Sequence, residues 1–378
     1  MEWLAAGRPA DDPESDDLNV KDIVLAFWKF AKKHYRKNGE PTGTAENYKP
    51  VLRLLRRYYG NTPAASFGPK AIKALRHKMM LEGNSRRYIN DNVDRIRRAF
   101  RWAASEELIP AEVVVSLATV ESLPKGRSEA RETKPVPPVD DQIVDTTLPH
   151  LPLVVADMVR FQRLTGARPG EVCNLRPCDV DRSGDVWLYS PESHKTEHHG
   201  KQRVVCIGPR AQDILRPYLL RESSAYCFSP AESERKRNAA RREARQSPMT
   251  PSQAARKLKP DRKRSPKDRY TNNTYRRAIE RACDLAFPPP PALARQEGET
   301  AKQWNERLTD KQREQLKLWR PANRWAPNQL RHTAGTEIRK RFGLEGAQVA
   351  LGHSKANVTE IYAERDLSKA MEIARQVG

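Results

Sequence analysis

Between Val20 and about Pro110 apolar side chains return every three or four residues, the period of helices that each bury one face. Val20, Ile23, Val24, Phe27 and Ala31 make the first stripe. Tyr48, Val51, Leu52, Leu55 and Tyr59 make a second, with Thr44 placed to cap it, and Pro69 opens a third through Ile72, Leu75 and Met79. A fourth starts near Ser85 and carries Tyr88, Val93, Ile96, Phe100 and Ala103. The polar faces of these helices hold Lys32, Lys33, Arg86, Arg87, Arg97 and Arg98. That pattern suits phosphate contacts, which need donors but no base reading, and it equally suits an ordinary solvated surface. A helical unit over 19–120 is expected, after an acidic, disordered tail over 1–18.

The stretch ESLPKGRSEARETKPVPPV has no period and is rich in Pro, Ser and charge, which predicts a linker over 121–139 and a second domain over 140–378. Helical patterns over 140–148 and 151–165 lead to a turn at Gly166 and to 171–175. Strand candidates at 186–189 and 203–207 are joined by SPESHKTEHHGKQ, a hairpin with a long tip. Residues 231–269 are strongly basic and poor in apolar side chains, so a disordered insertion is expected there. A second insertion, over 287–325, begins with PPPP and continues into a charged, helix-like run. Helical patterns resume over 328–342 and 345–351, across Tyr362, and over 367–377. The fold class expected is mainly α with a small β-sheet.

Charge changes this picture. Lys and Arg number 69 against 48 Asp and Glu, a formal net charge of +21 in 378 residues, which points to a polyanion as partner. Five cysteines without a CxxC pair indicate neither a disulfide framework nor a zinc ribbon, and His194, His198 and His199 have no second ligand group at zinc spacing. No apolar run approaches a membrane span, and no signal pattern opens the chain, so a cytoplasmic, nucleoid-associated location is expected.

Four separated pieces carry candidate chemistry: TGARPGEVCNLR, SHKTEHHGKQRVV, NQLRHTAGTEI and LGHSKANVTEIY. In this order and spacing they resemble the catalytic domain of the tyrosine recombinase, or phage integrase, family, and the helical N-terminal unit looks like that family's SAM-like core-binding domain. The resemblance implies an α+β catalytic domain and a DNA strand-transferase that needs neither ATP nor metal. It also implies a homotetramer acting on double-stranded DNA at two recombination sites, with the C-terminal segment docking on a neighbour.

The residues support such a site independently. Cleaving a phosphodiester requires stabilising charge on its non-bridging oxygens, a task for planar, always-charged arginines such as Arg168 and Arg331. Arg168 can also simply pair with Glu171, which the resemblance makes a supporting acid. Tyr362 is the nucleophile expected, and Lys195 the general acid for the departing 5′-oxygen, with Lys201 on the same hairpin as the other candidate. His353 is expected to bond a phosphate oxygen or orient Tyr362. Where the family usually has His-x-x-Arg, this chain has Asn328-Gln-Leu-Arg331. Asn328 can donate to phosphate but cannot take a proton, and His332 lies one helical turn on. If Tyr362 loses its proton to water or substrate, Asn328→His should leave cleavage unchanged or raise it. Two other readings stand beside this one: a decayed recombinase that keeps fold and charge as a DNA-binding regulator, which Asn328 favours, and a type IB topoisomerase, which shares the chemistry but relaxes DNA without exchange.

Overall fold

The structure, a computed structural model, describes residues 18–37, 39–192, 203–255 and 265–352. The chain divides into two compact units, residues 1–135 and 136–378.

The first unit is built from α1 (Val20–His34), the hairpin β1 (Arg36–Lys37) and β2 (Glu40–Pro41), α2 (Gly43–Glu46), α3 (Lys49–Tyr59), α4 (Pro69–Leu81), α5 (Arg86–Ser105) and α6 (Ala111–Ala118). The helical stripes meet in one core in which Phe27, Leu55, Ile72 and Phe100 are fully buried. Its aromatic rings pack closely, Phe67 stacking on Phe100 at 4.7 Å between centroids. Three details differ from the periodic reading. Thr44 lies inside α2, and α3 starts after Tyr48 with Pro50 in its first turn. In α5 the inward residue is Ile89, while Tyr88 is 39% exposed and gives its backbone N–H to the capping Ser85 hydroxyl. Ile89, Val93, Ile96 and Phe100 form the closer helical stripe. The segment read as linker also behaves differently in its first half: Leu123 and Ala130 are buried in this core, and Arg86 N–H donates to the Arg131 carbonyl at 2.9 Å.

The second unit contains α7 (Asp141–Thr147), α8 (Leu153–Thr165), α9 (Pro169–Asn174), β3 (Val180–Asp181), β4 (Trp187–Tyr189), β5 (Val205–Ile207), α10 (Pro209–Leu219), α11 (Pro230–Glu243), α12 (Pro251–Ala254), α13 (Asn272–Ala286), α14 (Ala301–Arg307), α15 (Asp310–Asn323) and α16 (Pro327–Leu351). The three strands form an antiparallel sheet in the order β3-β4-β5, with Val180 opposite Tyr189 and Leu188 opposite Cys206. The burial alternation along β4 and β5 aims Trp187, Tyr189, Val205 and Ile207 at the core. Helix α8 is the central element, with Val154, Val155, Met158, Val159 and Phe161 all buried.

Residues 230–243 are helical, where low apolar content predicted disorder. Pro230 sits in the first turn, Glu232 pairs with Lys236 one turn on at 2.9 Å, and Arg221 ties Glu232 to the body at 3.1 Å. Within 287–325, Leu293, Leu308 and Leu316 form a small core of their own with Trp304 and Trp319. Helix α16 is two helical runs that meet at Gly343, whose φ of 76° and ψ of −177° break the first run. The five cysteines are unpaired. Among the described residues no helix is long and apolar enough to cross a membrane.

Candidate active site

The site is organised by the turn that ends α8. Gly166 adopts the left-handed conformation, φ 61°, and donates its N–H to the Gln162 carbonyl at 2.9 Å. A Cβ here would lie 2.9 Å from Leu351 Cδ2 and 3.3 Å from Ala334 Cβ, so any other residue would displace Leu351 as well as strain the backbone. Thr165 closes the same turn, its hydroxyl donating to the Phe161 carbonyl and accepting from Ala167 N–H.

Buried polar groups hold this turn against the start of α16. The Gln162 amide donates to the carbonyls of Ala167 and Pro327, each at 3.0 Å, and accepts from the Tyr275 hydroxyl at 3.0 Å. Arg331, 0% exposed, donates from Nη1 to the Gly166 carbonyl at 2.6 Å and from Nη2 to the Leu351 carbonyl at 2.7 Å. The two arginine-bearing motifs are thus pinned to each other through backbone carbonyls.

Arg168 caps α9, and its pairing with Glu171 is present in full. Its backbone N–H donates to Glu171 Oε2 and its Nη1 to Oε1, both at 2.8 Å, leaving the side chain one-third exposed. Glu171 is itself buried and also receives Arg203, Nε to Oε1 at 3.1 Å and Nη2 to Oε2 at 3.3 Å. Burial pushes the Glu171 carboxyl up, but the charge and hydrogen bonds of Arg203, joined by those of Arg168, hold it below the usual carboxylate range. Tyr189 of β4 donates its hydroxyl to the Glu171 carbonyl at 2.9 Å.

Asn328 is half-buried, and its Nδ2 lies 3.3 Å from His332 Nε2 one turn along α16. Burial, with Arg331 beside it, holds the His332 imidazole below its ordinary pKa, so it is neutral at physiological pH. Arg168 and Asn328 line a cavity of about 530 Å³ together with Asn174, Asn272, Asn273 and Arg276. Sequence reasoning missed the last three, whose only signal is a helix start after Thr271. It also missed Gln162 and Arg203, since neither residue type in isolation marks a site. Lys195, His353 and Tyr362 lie outside the described residues, as do His194, His198, His199 and Lys201.

On the first unit Lys32, Lys33, Arg87 and Arg98 are exposed. Arg86 and Arg97 are half-buried and committed to the fold, Arg86 to Glu132 at 2.6 Å and Arg97 to the Ala118 carbonyl at 2.8 Å. A groove of about 980 Å³ between α1 and α3 gathers Lys21, Lys49, Arg53, Arg56 and Arg57 around Trp28, with Lys49 Nζ 5.1 Å above the Trp28 ring.

With this geometry in place, the chain is similar to solved integrases. A lambda integrase dimer bound to a COC′ core site matches with a TM-score of 0.58 at 14% identity, covering 92% of this chain and 96% of that one. The Tn1549 transposon integrase in complex with circular intermediate DNA matches with a TM-score of 0.55 at 16% identity, covering 94% of this chain and 99% of that one. A lambda integrase tetramer bound to a Holliday junction gives a TM-score of 0.58 at 14% identity, over 96% and 85% of the two chains. The fold is that of the integrases. No family model and no curated protein matches the sequence.

Proposed function

We propose that this protein is a tyrosine recombinase that cleaves and rejoins DNA strands through a 3′-phosphotyrosyl intermediate, in the service of a mobile element. The observation that supports it best is the convergence of Arg331 with the Gly166–Arg168 turn, 165 residues away in sequence, beside a cavity also lined by Asn328. In this reading Tyr362 Oη bonds to phosphorus as the P–O5′ bond breaks, and Lys195 protonates the departing 5′-oxygen. Arg168 and Arg331 take the charge of the non-bridging oxygens, Asn328 adds a hydrogen bond to phosphate, and His353 bonds a phosphate oxygen or orients Tyr362. The tyrosine's proton goes to water or to the substrate, since the Asn328 amide cannot accept it. The covalent link retains the phosphodiester's free energy, so rejoining is the reverse attack by a 5′-hydroxyl and calls for neither ATP nor metal.

The assembly proposed is a tetramer on two DNA sites. In this reading the C-terminal segment, apolar along one face through Leu367, Met371 and Ile373 or Ala374, docks on a neighbouring copy. A second reading, a DNA-binding regulator without catalysis, is favoured by the complete burial of Arg331, whose contact with a phosphate requires the site to open.

The test is incubation with nicked duplexes taken from the DNA flanking the coding sequence, in chelator, followed by a denaturing gel. A covalent adduct that Tyr362→Phe abolishes is the expected result. Binding of the duplex without any adduct assigns the regulator reading, and plasmid relaxation without strand exchange assigns a topoisomerase.

A further inference from the structure

Arginine is almost never fully buried unless paired, and Arg203 is 5% exposed. Its Nε and Nη2 span both oxygens of Glu171 at 3.1 and 3.3 Å, while its Nη1 donates to the Val204 carbonyl at 3.0 Å. The same Nη1 lies 2.3 Å from where a Cβ at Gly352 would stand, so the guanidinium rests against that glycine's backbone. Gly352 closes α16 in the left-handed conformation, φ 62°, one residue after the carbonyl that Arg331 holds and one before His353. One side chain therefore touches Glu171 of the Arg168–Glu171 pair and the end of α16, and it stands two residues before β5.

We propose that Arg203 is a positioning residue of the strand-cleaving centre: through Glu171 it fixes Arg168, and against Gly352 it fixes the point from which the chain continues to His353. This rests on the recombinase reading above. The groups facing the Glu171 carboxylate among the described residues are Arg168 and Arg203, with the Tyr189 hydroxyl on its backbone carbonyl. Without Arg203 the buried carboxylate keeps one cationic partner, burial drives it toward its protonated form, and protonation releases Arg168. A lysine keeps the charge but restores the contact only in part, because the fork of two parallel donors is a property of the guanidinium.

The experiment uses the full chain as wild type, Arg203→Met, Arg203→Lys and the charge-neutral double variant Arg203→Met/Glu171→Gln. Adduct formation on the nicked duplex is followed in single turnover from acid to mildly basic pH, and thermal unfolding is recorded on the same samples. Arg203→Met is expected to slow cleavage by about 10–100-fold, the range typical when the partner that orients a functional side chain is removed, with a new loss of rate toward acid that the double variant lacks. Arg203→Lys should fall between wild type and Arg203→Met, and it stands in for that variant should it not fold. The wild-type carboxyl is held low, so its stabilisation is present above about pH 4.3 and is lost as pH falls through the folded value. The unfolding-temperature gap between wild type and Arg203→Met should therefore be widest near neutrality and narrow toward acid. A wild-type rate and pH profile in Arg203→Met overturns the proposal, as does a uniform slowing with a pH-independent gap. If wild type forms no adduct while the gap still narrows in acid, the recombinase reading fails and the Arg203–Glu171 coupling stands.

Discussion

Both units bury an apolar core, and they differ in the polar side chains buried with it. In the first, the buried polar side chains among the described residues are Ser85 and Asn92, the core is aliphatic and aromatic, and the basic residues are exposed or half-buried. In the second, Gln162, Glu171, Arg203, Arg331 and His332 are all buried; the first four bond backbone carbonyls or each other, and His332 faces the Asn328 amide. Burying a charge is costly unless every donor and acceptor is matched, so a cluster of this kind marks where the fold sacrifices stability for fixed geometry. Charge at the surface, by contrast, attracts a polyanion over a distance and asks little of the fold.

The sharpest way to break this contrast is to remove one large side chain from each core. Arg331→Ala orphans two buried carbonyls, at about 1–3 kcal/mol each, and should abolish cleavage even under conditions where the protein remains folded. Phe27→Ala should cost roughly 3–5 kcal/mol by cavity formation yet leave the second unit's arginine cluster intact. Urea unfolding followed with and without the adduct assay separates the two, and equal effects on cleavage at equal folded fraction would erase the distinction.

Gly166→Ala is the next largest change, at about 1–2 kcal/mol for the left-handed backbone plus the displacement of Leu351. Because that displacement acts on the end of α16, activity should fall further than stability does.

His332 gives a smaller, pH-dependent effect. Its folded pKa is depressed, first by burial and then by Arg331, so the unfolded chain binds a proton that the folded chain resists. Stability contributed by the neutral ring is complete above about pH 6.5 and declines as pH falls below it. Thermal unfolding of His332→Gln should lose that part of the pH dependence.

The least effect on stability is expected at Lys32 and Lys33. Replacing either with alanine should change unfolding by no more than about 0.5 kcal/mol, while the salt dependence of DNA binding weakens by about one unit of slope for each phosphate left without its lysine. A change in unfolding without a change in salt slope would make these residues part of the fold and not of a DNA surface.

Much of the fold was legible because periodicity reports burial directly. The stripes on α1, α3 and α4, and the strand alternation around β4 and β5, follow from which face meets the core. Helix α11 was not legible, since it has little apolar content of its own and the Arg221–Glu232 pair that ties it to the body joins residues 11 apart in sequence. Of the candidate site, Arg168 with Glu171 was readable as a local pair three residues apart. That Asn328 would face His332 followed from one turn of helix.

The sequence by itself determined a strongly basic chain of helices around a small sheet, and four motifs whose order and residue types suit phosphodiester chemistry. Those properties are local, carried by spacing, side-chain type and net charge. Only the tertiary structure decided that Gln162 and Arg331 join the α8 turn to α16, and that Arg203 lies between Glu171 and Gly352. Contacts of this kind depend on which backbone carbonyls and carboxylates are left unsatisfied once the elements pack, and no pattern along the chain encodes that.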